Sequence, residues 1–222
     1  MIGGASSARV KIKICGITRT EDAALAARLG AWAIGLVFAP SSPRRIDEET
    51  ARRLAAAAGA GVLRVGVFVD QTVSEMLRLS ENIPLDLIQL HGAEGQDVCR
   101  ALGPERVIKA VVLRGAADVE AAAAFASGYL LADRPRPEHN DTDTDRAPYD
   151  AKGARALAAT LAARHPKTLL AGGLDASNAA EALRGSGAWG IDVSSGIEQS
   201  PGIKDPAKLS ALFAALQGET AR

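Results

Sequence analysis

Eight short runs rich in Val, Ile and Leu alternate along this chain with longer Ala- and Leu-rich amphipathic stretches. No other feature restricts the fold as much. The runs lie near 10–14, 32–38, 63–69, 85–91, 106–113, 129–133, 168–172 and 189–194. They are nearly continuous in apolar residues, which suits parallel strands covered by helices. Eight strand–helix units in 222 residues is the α/β pattern of a (β/α)8 barrel. A doubly wound open sheet is the structural rival. Even spacing of the units and the lack of a linker favour one closed barrel over residues 1–222, with 1–9 as a loose tail.

Local signals place the helices. Thr18-Arg19-Thr20-Glu21 has capping-box spacing and opens a helix that stops at Gly30. Asp47 caps the next, and Thr72 or Ser74 starts the third. Ser177 fits as the cap of 178–183. Asp205-Pro206 is a cap followed by proline at the first helical position, ahead of 207–217.

Composition narrows the partners. The 26 basic residues match 26 acidic ones, so no general attraction to nucleic acid or to an anionic membrane is expected. No apolar run reaches the length of a membrane span. The first seven residues have no apolar core of a secretory signal, which points to a reduced, cytoplasmic setting for Cys15 and Cys99. Three scattered histidines have no metal-ligand spacing, so no metal is expected. Barrels of this size occur as monomers and as dimers, and both remain open here.

In parallel α/β proteins ligands bind at the carboxyl ends of strands. Cys15 ends the first run and precedes Gly16 and a helix start. It is either a small apolar core residue or a reactive thiol. An ordinary thiol, with a pKa of about 8.5, needs local positive charge or a coupled proton transfer to act as a base. Asp133 ends the sixth run and is either a cap or a proton donor. Gly172 and Gly173 end the seventh run; Asp192, Ser194, Ser195 and Gly196 end the eighth. The loops after strands seven and eight of such barrels often form a phosphate site, because glycine lets backbone N–H groups approach an anion. Asp192 would lie beside that site. Arg44, rather than Arg45, is the candidate to clamp a carboxylate. Gln89 and His91 share one side of strand four by period-two alternation and either line the pocket or satisfy a core hydrogen bond. Lys109 and Cys99 read as structural. The segment Arg134 to Asp150 is polar, acidic and proline-rich, an active-site lid or a tolerated insertion.

These motifs converge on one family. KICGIT at 13–18 resembles the start of phosphoribosylanthranilate isomerases, as do GLVFAPSSPRRI at 35–46, VGVFVD at 65–70 and LIQLHG at 87–92. VIKAV at 107–111, AGGLDASNAAEAL at 171–183 and GIDVSSGIEQSPGIKD at 190–205 continue the match in order. The resemblance implies an Amadori rearrangement of N-(5-phosphoribosyl)anthranilate with no cofactor. By the same resemblance Cys15 is the general base, Asp133 the general acid, and Arg44 the contact to the anthranilate carboxylate. Gly173, Ser194, Ser195 and Gly196 match the phosphate turns, and Asp192 the aspartate near the ribose. The chain departs from the family after strand six. A glycine-rich segment and an aromatic-Asp-Trp are usual there, whereas this chain has Asn140 to Asp145 and then Tyr149-Asp150-Ala151. A paralogue acting on another phosphorylated aminosugar, and a non-catalytic phosphate-ligand barrel, are the competing readings.

Overall fold

A computed structural model describes residues 9–134 and 152–220 of the chain. Eight parallel strands pair in sequence order and close on themselves. They are β1 (Lys11–Cys15), β2 (Ala33–Val37), β3 (Leu63–Phe68), β4 (Leu87–Leu90), β5 (Val107–Val112), β6 (Tyr129–Asp133), β7 (Thr168–Leu170) and β8 (Gly190–Val193). The expected strands are all present, most of them a residue or two shorter at the ends. The closed barrel, not the open sheet, is therefore the architecture. Helices follow each strand: α1 (Thr20–Leu29), α2 (Glu48–Ala58), α3 (Val73–Asn82), α4 (Gln96–Leu102), α5 (Ala116–Ala123), α6 (Lys152–Arg164), α7 (Ala179–Ser186) and α8 (Pro206–Ala215). Between β8 and α8 the chain makes a small antiparallel hairpin, β9 (Glu198–Ser200) and β10 (Ile203–Lys204).

Alternation sorts the side chains. Ile12, Ile14, Ile34 and Ile191 pack outward against the helices. Ala33, Val65, Leu87, Ile108, Leu131 and Leu169 fill the barrel interior. At the amino-terminal ends of the strands Trp32, Tyr129 and Trp189 close the barrel floor. Trp32 meets Trp189 edge-on at 5.0 Å between ring centroids, the offset contact that aromatic quadrupoles favour. A second small cluster of Cys15, Val37, Ala39 and Val67 sits at the opposite, carboxyl end. The seam between β1 and β8 is tight. A side chain at Gly190 would strike the Lys11 carbonyl, so only glycine permits this closure.

Most caps match expectation. Asp47 accepts from the Thr50 N–H at 2.8 Å and Thr72 from Glu75 at 3.2 Å. Asp205 caps α8 with Pro206 at its start. Gly30 adopts φ of 90° and ends α1. Two expectations fail. The capping box at 18–21 does not form: Arg19 is the residue before α1, and the Thr18 hydroxyl donates instead to the Gly202 carbonyl at 2.5 Å. Ser177 does not cap α7. Asn178 precedes the helix, and the Ser177 hydroxyl turns back to Asp175 at 2.6 Å. In both cases a tertiary or local-turn acceptor outcompeted the helix end. Cys15 and Cys99 are buried free thiols, so no disulfide links them. Of the expected tail only Arg9 is described, and it forms an isolated bridge to Thr220. Of the 134–150 segment only Arg134 is described; the lid reading, His139 and the Tyr149-Asp150 pair lie outside the described residues.

Candidate active site at the carboxyl ends of the strands

Cys15 ends β1, with its side chain in the upper interior cluster. Two residues earlier on the same face is Lys13, fully buried. The β1–β8 register sets Lys13 opposite Asp192, and the pair forms an ion pair at 2.8 Å. A buried lysine is tolerated only with such compensation. Burial opposes the Lys13 charge, yet Asp192 and the neighbouring Cys15 together hold its pKa above the usual lysine value. Burial pushes the Cys15 thiol up; Lys13 and Lys204 pull it down and Asp192 pushes it up. The net direction is up, so without ligand the site favours the protonated thiol. Gly35 on β2 makes this packing possible, because a β-carbon there would lie 2.7 Å from the Cys15 sulfur and 3.1 Å from the Lys13 nitrogen.

The β9–β10 hairpin braces the same corner. Lys204 is fully buried and donates to the Cys15 carbonyl at 2.6 Å, the Ser194 carbonyl at 3.3 Å and Glu198 at 2.7 Å. Glu198 also accepts from Arg44, at 2.9 Å from Nε and 2.6 Å from Nη2. Burial raises the Glu198 pKa, but the Arg44 and Lys204 cations outweigh it and leave the carboxylate below its ordinary range. Burial lowers the Lys204 pKa, and Glu198 only partly restores it. Arg44 follows β2 as expected, partly buried, while Arg45 is exposed. Glu198 therefore fixes the guanidinium at the barrel mouth in a forked geometry.

Asp133 ends β6, mostly buried, and its Oδ1 accepts from the Arg134 N–H at 2.8 Å. Its Oδ2 lies 3.4 Å from His91 Nε2. His91 Nδ1 is 2.8 Å from the Gln89 amide nitrogen. The period-two reading of β4 is thus correct: Gln89 and His91 share one side, and they turn toward Asp133. Lys109 points away from the interior, into the layer between strand and helix. It donates to the Gly92 carbonyl at 2.7 Å and to Glu94 at 2.8 Å, a structural role as expected.

Gly172 and Gly173 follow β7 with φ of 91° and 67°, the left-handed region that glycine accepts at least cost. The Arg134 side chain lies over both; a β-carbon on Gly173 would sit 2.9 Å from its guanidinium. After β8, Ser195–Ile197 forms a single 3-10 turn. Gly196 packs so closely on the Leu174 carbonyl that no side chain fits. The two turns are therefore held face to face. Around the barrel the order is β6, β7, β8, β1. A carboxylate, two glycine turns and a thiol follow one another along that arc.

The structure thus brings every expected site residue to the carboxyl face. Lys13, Lys204, Glu198 and Arg134 were not foreseen. Lys13 had a legible signal: a lysine two residues before the cysteine, inside an apolar strand, must share the cysteine's face. Glu198 and Lys204 lay in a stretch where only the serines and glycines were read.

The chain from residue 12 to 215 matches the family model of N-(5'-phosphoribosyl)anthranilate (PRA) isomerase. An N-(5'-phosphoribosyl)anthranilate isomerase from Halorhodospira halophila is 40% identical, over 94% of this chain and 97% of that one. The crystal structure of phosphoribosyl anthranilate isomerase from Thermus thermophilus superposes with a TM-score of 0.81 at 43% identity, covering 94% of this chain and 98% of that one. Another solved phosphoribosyl anthranilate isomerase, 33% identical with a TM-score of 0.81 and covering 95% of this chain and all of that one, is in complex with reduced 1-(o-carboxyphenylamino)-1-deoxyribulose 5-phosphate. Fold, ordered motifs and relatives agree: the chain belongs to the N-(5'-phosphoribosyl)anthranilate isomerase family.

Proposed function

We propose that this chain converts N-(5'-phosphoribosyl)anthranilate to 1-(2-carboxyphenylamino)-1-deoxyribulose 5-phosphate, with Asp133 as general acid and Cys15 as general base. The observation that carries this reading is the arc β6–β7–β8–β1, which sets phosphate-type turns between a carboxylate and a thiol. A phosphate held at Gly172–Gly173 and Ser194–Gly196 anchors the sugar between the two groups. Asp133 protonates the ribose ring oxygen as its bond to C1 breaks, giving a Schiff base. Cys15 then removes the proton from C2. The resulting enolamine tautomerises to the ketone, so the reaction is an isomerisation without net gain or loss of protons. The Schiff-base cation acidifies C2, which lets a thiolate of ordinary basicity act. Lys13 supplies the positive charge that such a thiolate needs. Arg44, held by Glu198, takes the anthranilate carboxylate in this reading. Asp192, tied to Lys13, lies next to the ribose.

The test is the loss of anthranilate-type fluorescence when the protein meets freshly generated phosphoribosylanthranilate, with Cys15→Ser alongside. Rapid turnover by the wild type, reduced about a thousandfold or more in Cys15→Ser, supports both reaction and base. Turnover absent from the wild type, with phosphate-ligand binding intact, moves the reading to another aminosugar or to a binding-only barrel.

A further inference from the structure

The turn after β7 has its acceptors taken and its donors left over. Asn178 Nδ2 donates to the Gly173 carbonyl at 2.9 Å, and Asn178 Oδ1 accepts from the Asp175 N–H at 3.0 Å. The Asp175 carboxylate is occupied by Ser177, through its N–H at 2.8 Å and its hydroxyl at 2.6 Å. The N–H groups of Gly172, Gly173 and Leu174 meet no acceptor among the described residues. Successive N–H groups left in this way, in a turn with left-handed glycines, draw an anion.

A cation lies on the same turn. The Arg134 guanidinium packs on Gly173, where an added β-carbon would be 2.9 Å from Nη2 and 3.0 Å from Cζ. The stem of the side chain crosses Gly172, with Cγ 2.6 Å from such a carbon there. A guanidinium and three N–H groups carry charge of one sign, and an anion among them relieves their repulsion. We propose that Arg134 is a phosphate-binding residue, whose guanidinium completes with the 172–174 N–H groups the seat for the phosphate of a sugar-phosphate substrate. The inference rests on the phosphate position in the proposed function.

Arg134 serves two groups with different parts. Its backbone N–H donates to Asp133 Oδ1 at 2.8 Å, whereas its side chain runs to the glycine turn. Asp133 Oδ1 also stands beside Gly172, 2.6 Å from where a β-carbon would be. A carboxylate so near the turn repels a phosphate bound there, and the guanidinium offsets that repulsion. The planar fork of arginine suits phosphate oxygens, which a single N–H turn does not enclose. On the β8 side the Ser194 carbonyl is likewise taken, by Lys204 Nζ at 3.3 Å and the Ile197 N–H at 3.4 Å. That turn therefore does not set its Ser194 acceptor against the anion.

Arg134→Met tests this, since methionine keeps an apolar stem over Gly172 and the backbone N–H to Asp133 but removes the charge. The dissociation constant of inorganic phosphate, followed by calorimetry, should rise about 10-fold or more. Arg134→Lys should recover part of the loss. Arg45→Met removes the same charge from an exposed residue and should leave phosphate affinity unchanged. In turnover of phosphoribosylanthranilate by Arg134→Met, KM should rise about 10-fold or more with kcat within about twofold, because the contact is alike in ground and transition states. Unchanged phosphate affinity in Arg134→Met, in protein whose melting matches the wild type, overturns the inference. So does an equal loss in Arg45→Met, or a fall in kcat with KM unmoved. If phosphate affinity depends on Arg134 but the wild type does not turn over, the phosphate seat stands and the assigned reaction fails. If the wild type turns over and Arg134→Met binds phosphate as the wild type does, only the role of Arg134 fails.

Discussion

Lys13 and Asp192 face each other across the seam where the first and last barrel strands join, 2.8 Å apart and closed off from solvent. Their position bears on the proposed role of Cys15 as a base, since a thiol is a weak base while protonated. The ammonium offsets burial of the thiolate, and the carboxylate keeps the ammonium charged inside the barrel.

Replacing Lys13 by Met separates these effects. The Cys15 thiol should ionise at higher pH, and iodoacetamide alkylation at neutral pH should slow by about tenfold, since one pKa unit is tenfold in thiolate. The variant should also lose about 3–5 kcal/mol of stability, because Asp192 is left buried without its partner. Alkylation rates measured across pH, with urea melts in parallel, check both. An unchanged alkylation profile would show that Lys13 does not set the thiolate level.

Glu198 provides a pH-dependent part of stability. Its folded pKa lies below the unfolded value, so its contribution is fully present above about 4.5 and disappears as pH falls through the folded value. Glu198→Gln should therefore flatten the stability–pH curve on the acid side and lower stability at neutral pH. Freed from its forked partner, Arg44 should hold substrate less well, and KM should rise more than kcat falls. Thermal melts between pH 3 and 7 and steady-state kinetics read these outcomes; a KM at the wild-type value would detach Arg44 from the ligand.

Gly35→Ala tests the packing of the thiol. The new methyl meets the Cys15 sulfur at 2.7 Å, nearer than a β-carbon tolerates, and the Lys13 nitrogen at a tight 3.1 Å. Overpacking of this kind costs about 1–3 kcal/mol. The larger effect should be on kcat, by about 100-fold, since displacement of a reacting group by an ångström has that scale. Wild-type kcat in this variant would mean that the sulfur moves aside without consequence.

The barrel was legible because each strand is an apolar run and each helix carries its own start and stop. Asp47, Thr72 and Gly30 act locally, and local signals survive folding. Thr18 and Ser177 misled because their hydroxyls had nearer competitors, a carbonyl of the β9–β10 turn and the Asp175 carboxylate. The strand-end positions of the candidate site residues were readable for the same reason as the strands. Lys204 and Glu198 were not, since their meaning comes from contacts with Cys15 and Arg44 far away in the sequence. The Gln89–His91–Asp133 line was half visible: alternation paired the first two, and only the curvature of the sheet brings in the third.

The glycine-tight seam between β1 and β8 also has a temporal meaning. Cys15 leaves the ribosome well before Asp192 and Lys204, which come 177 and 189 positions later. Until the last strand docks, the thiol has neither its buried counter-charge pair nor the ammonium that grips its carbonyl. A nascent or truncated barrel thus carries an ordinary cysteine, and the chemical character of that sulfur is a property of the completed circle.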